Sequence, residues 1–121
     1  MTNWCICKLE ITGPEADLLK TKSKDFWQGP SAKIDRTDSS VFLSFKTAWD
    51  PPVGFIKELS KNLPRSIFNL LYYTESASFA GNMSFIEGAI QRDESYESWD
   101  IEIYDFILEN FNIDLQPVEL H

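Results

Sequence analysis

Residues 40–62 read SVFLSFKTAWDPPVGFIKELSKN, and the three parts of that stretch decide the fold. SVFLSFKT, 40–47, alternates with period two. Val41, Leu43 and Phe45 share one face and Phe42 takes the other, the pattern of a strand with one buried side. Asp50-Pro51-Pro52 then forces an extended connection, because a residue before proline is pushed out of the helical region. VGFIKELSKN, 53–62, carries Phe55, Ile56 and Leu59 on one helical stripe, and Pro64 closes it.

Working outward toward the N-terminus, AKIDRT (32–37) is a weak, polar strand that suits a sheet edge, with Asp38-Ser39 as the turn into the next strand. Gly29-Pro30 ends a helix over about 14–26, which Gly13-Pro14 opens and whose inner face is Leu18, Leu19, Phe26 and Trp27. Before it, NWCICKLEIT (3–12) alternates cleanly. Cys5, Cys7, Leu9 and Ile11 form the more apolar face, opposite Trp4, Ile6, Lys8 and Glu10.

Toward the C-terminus, SIFNLLYYT (66–74) and ASFAGNMSFI (77–86) read as strands, with Gly81 as a bulge or close-approach point. Glu87-Gly88 is a hairpin turn, and AIQRD (89–93) returns as a short strand. Residues 97–110 carry two patterns. Trp99, Ile101 and Ile103 alternate as in a strand, while Tyr96, Trp99, Ile103, Phe106, Ile107 and Asn110 fit a helical stripe. The longer stripe predicts a helix, with Glu102, Asp105 and Glu109 on its outer face. The expected fold is α+β: a ferredoxin-like βαββαβ sandwich with two helices on one face of an antiparallel sheet, extended by a C-terminal β-hairpin and helix. Residues 1–121 are expected to form one domain, with an acidic extension over about 87–121.

Three segments resemble the YubB-type ferredoxin-like domain family of bacteriophages, plasmids and other mobile elements. They are Asn3-Trp4-Cys5 leading to Leu9, Ile11 and Gly13; Leu43 to Pro52, continuing to Leu59-Ser60; and Tyr73-Thr74-Glu75 followed by Phe79-Ala80-Gly81. The SFxTAWxPP run is the most specific of them. A glycine expected soon after Tyr73-Thr74-Glu75 is replaced by Ser76 or Ala77. The resemblance implies a fold and a mobile-element origin, and carries no catalytic residues. Small phage proteins of this size and charge often inhibit bacterial defence systems, as anti-CRISPR proteins do, an analogy of context.

Charge is distributed unevenly. The 11 Lys and Arg against 19 Asp and Glu give a net charge of −8. Residues 1–65 carry a net +2, whereas residues 66–121 carry −10, with Arg92 their sole basic residue. Direct nucleic-acid binding through the C-terminal half is disfavoured, because phosphate contacts need Lys and Arg. Lys20, Lys22, Lys24 and Lys33 form the one basic cluster, without the aromatic motif of an RNA-binding strand. The N-terminal residues lack a signal-peptide pattern, and no apolar run approaches a membrane span. A cytoplasmic location in a bacterial host is expected.

The chemistry-bearing residues are few. His121 is the single histidine and the last residue, so triads built on His and His-based metal sites are not expected. Cys5 and Cys7, at i and i+2, are too few for a metal centre and read as buried reduced thiols. Phosphate-cradling glycine motifs are absent. Hence neither catalytic residues nor a metal or cofactor is expected; a carboxylate- and Mg²⁺-dependent hydrolase is the rival reading.

Two sites are expected. Asp93, Glu94, Glu97, Asp100, Glu102, Asp105 and Glu109 place seven carboxylates in 17 residues with no basic residue among them. Ile101, Tyr104 and Leu108 form an apolar stripe beside them. An acidic ridge with spare apolar surface suits a basic partner protein, such as a nucleic-acid-binding host protein or defence effector, or a second copy in a homodimer. The alternative is a small-ligand or peptide platform at Trp49, Pro51 and Pro52, which otherwise serve as sheet cap and helix approach.

Overall fold

The face of Cys5, Cys7, Leu9 and Ile11 is the floor of the protein's main core, each residue at most 1% exposed. The structure, a computed structural model, describes residues 3–14, 33–36 and 40–114. Their elements are β1 (Trp4–Thr12), β2 (Lys33–Arg36), β3 (Ser40–Ala48), α1 (Val53–Asn62), β4 (Ile67–Thr74), β5 (Phe79–Ile86), β6 (Ala89–Glu97) and α2 (Glu102–Phe111). The helix expected over about 14–26, the lysines at 20, 22 and 24, and His121 lie outside the described residues.

The strands form one six-stranded sheet in the order β2-β3-β1-β4-β5-β6, antiparallel throughout. In the first four, β1 is inserted between β3 and β4, Cys7 pairing Phe45 on one side and Tyr72 on the other. That order is the ferredoxin-like one, in which each crossover skips a strand. The β5–β6 hairpin widens the sheet beyond β4. Among the described residues β2 is an edge strand, as expected, and the second edge is β6.

Each face of the sheet has its own core. On one, Val41, Leu43 and Phe45 of β3 join the β1 residues, Phe68, Leu70 and Tyr72 of β4, and Met83 and Phe85 of β5, under Ile56 of α1. Ser60 of α1 accepts the Gly88 N–H at 2.8 Å, tying the helix to the β5–β6 turn. On the opposite face, Ile103, Ile107 and Phe111 of α2 cover Tyr73 and Ala80, with Phe111 edge-on to Tyr73 at 4.6 Å. The C-terminal helix thus closes part of the face that α1 leaves bare.

The structure corrects the C-terminal reading. The strand expected to stop at residue 93 runs to Glu97, a turn follows, and the helix begins at Glu102 rather than at about 97. Ile103, Phe106 and Ile107 do face the core, but Tyr96 reaches it from β6, and Trp99 is 79% exposed in the turn. The helical stripe fitted the spacing of residues that belong to two elements. Gly81 is a close-approach point and not a bulge. A Cβ there would meet the Tyr72 hydroxyl and come within 2.6 Å of the Glu94 carbonyl oxygen, while the register shift falls at Ser84/Phe85.

Candidate functional site

β6 is an edge strand of nine residues in which every residue but Tyr96 is exposed. Its cross-strand partners show where its carboxylates lie. Asp93 pairs Met83 and Glu97 pairs Phe79, which places both acids on the α1 side of the sheet. Glu94 pairs Asn82, on the α2 side, and its carboxylate meets the Arg92 guanidinium at 3.6 Å. Asp93 and Glu97 lie near the Tyr72 hydroxyl, whose pKa is pushed up to about 12, first by burial and then by the charge of Asp93.

Asp100 has work inside the molecule. Its Oδ2 accepts the Glu97 N–H at 2.8 Å, its own N–H donates to the Glu97 carbonyl at 2.9 Å, and its carbonyl accepts the Ile103 N–H at 3.0 Å. Those three bonds turn the chain from β6 into α2. Glu102, Asp105 and Glu109 form one exposed ridge along α2. Glu102 and Asp105 also lie in its first turn, where the helix dipole favours carboxylates.

The apolar stripe divides in the same way. Tyr104 packs into the α2 core, whereas Ile101 is 74% exposed and Leu108 44%. Trp99 joins Ile101 instead. The two residues stand between β6 and α2, after Asp93 and Glu97 in the chain and before the α2 ridge. The spacing of Trp99 hid this, because it fits a core stripe.

The other expected site is separate: β1, β4 and β5 lie between β3 and β6. Trp49 follows β3 with φ 70° and is 55% exposed. Its N–H donates to the Asn3 carbonyl at 2.8 Å, and Pro51 and Pro52 lead into α1. A bulky side chain held at positive φ is uncommon and costs about 1–2 kcal/mol.

Two features escaped the sequence reading. A cavity of about 510 Å³ opens beside the C-terminal end of α2, lined by Lys8, Glu10, Phe42, Ser44, Asn69 and Asn110 among others. Its residues come from three strands and a helix, so no linear motif marks it. Ala77 takes φ 56°, at the place where the resemblance leads one to expect a glycine. Cys5 and Cys7 are buried with their sulfurs 3.9 Å apart, and the contact with Cys5 together with burial raises the pKa of the Cys7 thiol. Among the described residues, no three His, Cys, Asp or Glu side chains converge as a metal site. Nor is any helix there long and apolar enough to cross a membrane.

An antiparallel sheet with β1 inserted between β3 and β4 defines a ferredoxin-like α+β domain. The chain belongs to the family described as the ferredoxin-like domain in Api92-like protein, whose model matches residues 26–113. The match includes β2 through α2, and so the β5–β6 hairpin and the acidic helix. No curated protein and no solved structure matches the chain.

Proposed function

We propose that this is a non-enzymatic accessory protein of bacteriophages or plasmids that binds a basic host protein in the bacterial cytoplasm. The fit is to a nucleic-acid-binding protein, such as a defence effector, whose Lys and Arg side chains would otherwise contact phosphate. The observation that carries the reading is the pair Trp99 and Ile101, 79% and 74% exposed, in a turn that the exposed acids Asp93 and Glu97 precede in the chain and Glu102, Asp105 and Glu109 follow. Like charges steer a basic surface, and exposed apolar residues between them in the chain can then hold it. The mobile-element origin rests on the YubB-type resemblance of residues 3–81.

The test is affinity capture from a bacterial lysate followed by mass spectrometry. Wild type is compared with a variant carrying Lys at positions 93, 97, 102, 105 and 109. Asp100 stays, because it closes the β6–α2 turn. A basic protein held by wild type and lost by the variant supports the reading; equal capture by both refutes it.

A ligand or peptide module centred on Trp49, Pro51 and Pro52 is the second reading. The positive φ and exposure of Trp49 favour it. In that case Trp49→Ala abolishes capture and the charge variant does not.

A further inference from the structure

β6 has nine residues and, among the described residues, a neighbour on one side alone, β5. The outward-facing N–H and C=O groups of an edge strand are a template for another strand. Proteins that avoid this blunt the edge by shortening it, bulging it, covering it or charging it, and the charge on β6, mostly acidic, repels a like strand but not a basic one. The β2 edge is short, at four residues. The β6 edge spans roughly 30 Å at about 3.4 Å per residue, and its side chains from Ala89 to Ser95 are all exposed. The register shift at Ser84/Phe85 lies toward one end and leaves Arg92–Glu97 in regular register with Ser84–Phe79.

We infer that the basic partner docks on β6 by strand addition, a Lys- or Arg-bearing extended segment forming a seventh strand along Arg92–Glu97. This rests on the proposed binding of a basic protein and specifies how it occurs. Charge selects the occupant. Asp93 and Glu97 present carboxylates on one face of the edge, so basic residues on that face of an added strand meet an opposite charge. Arg92, the single cation of the strand, is already held by Glu94. A second copy of β6 laid alongside would instead bring acidic strands together. Ile90, 42% exposed, and Trp99 give an added strand an apolar contact near each end. Main-chain bonds then supply affinity and the acids supply selectivity.

The probe is a labelled nine-residue peptide alternating Lys or Arg with Val, together with the same peptide N-methylated at alternate amides. Methylation keeps the charge and removes the ladder donors. Anisotropy at low salt should show the methylated peptide binding at least about tenfold more weakly. Hydrogen exchange should show new protection confined to amides of 89–97 when the unmodified peptide is added. Equal affinities, no binding of the unmodified peptide, or β6-mediated dimerisation in sedimentation would each overturn strand addition. Those results leave the acidic-surface reading to its own test, since the lysate comparison depends on charge and not on main-chain bonding.

Discussion

Lys8, in the middle of β1, donates its Nζ to the carbonyl of Asn110 in the last turn of α2, at 2.9 Å, and lies 5.0 Å from the centroid of the Phe111 ring. Carbonyls at a helix C-terminus lack intrahelical partners, and a cation there also complements the helix dipole. One side chain therefore fastens the acidic helix to the sheet. Lys8→Met should cost about 1 kcal/mol. It should also speed amide exchange in α2 while leaving α1 unchanged. Uniform exchange rates across both helices would show that Lys8 does not anchor α2.

The Tyr72 hydroxyl, with its pKa pushed up to about 12 by burial and by Asp93, gives the fold an alkaline limit. The ordinary tyrosine value in an unfolded chain is near 10, so the unfolded state loses this proton first. Stability from this group is complete below about pH 10 and is lost as pH rises through about 12. Tyr72→Phe should flatten the fall in denaturation midpoint across that window. An unchanged alkaline limb would assign it to other groups, such as Tyr73, whose pKa burial also raises.

Gly81 lets Tyr72 and the β6 backbone approach β5. In Gly81→Ala the added Cβ would sit 2.6 Å from the Glu94 carbonyl oxygen, and backbone yields less readily than a side chain. The expected cost is about 2 kcal/mol, with the β5–β6 pairing loosened first. Denaturant midpoints together with exchange rates for 79–97 measure both effects.

Glu87 and Gly88 have φ 52° and 79°, the two positive values of a type I′ hairpin turn. Asparagine tolerates the first position better than glutamate does. Glu87→Asn should therefore stabilise by about 0.5–1 kcal/mol, whereas Gly88→Ala should destabilise by about 1–2 kcal/mol. Thermal melts of the two variants moving in the same direction would contradict the turn assignment.

How far the sequence reveals this molecule depends on where each segment is buried. β1 and β3 were legible because one face is fully buried and the other is not, so the buried Cys5, Cys7, Leu9 and Ile11 alternate with less buried neighbours such as Ile6, Lys8 and Glu10. Helix α1 was legible from its proline approach and its Phe55-Ile56-Leu59 stripe, and its bounds match the expectation. The second half of β6 was not legible. ESYE, 94–97, shows no clear burial alternation, because an edge strand held mainly through its backbone leaves little mark on side-chain pattern. The same gap hid the Glu97–Asp100 turn and the exposure of Trp99. Seven carboxylates could be counted, but their division among strand, turn and helix needed the register.

The acidic β6–α2 surface as the seat of a basic partner is tested most directly by titrating the captured, purified partner against two folded proteins at low salt. One is wild type; the other carries Lys at 93, 97, 102, 105 and 109, with a circular dichroism spectrum and melting temperature matching wild type. The account predicts at least about a tenfold loss of affinity in the variant, and a wild-type affinity that falls as salt rises. Equal affinities for the two proteins at low salt would contradict it.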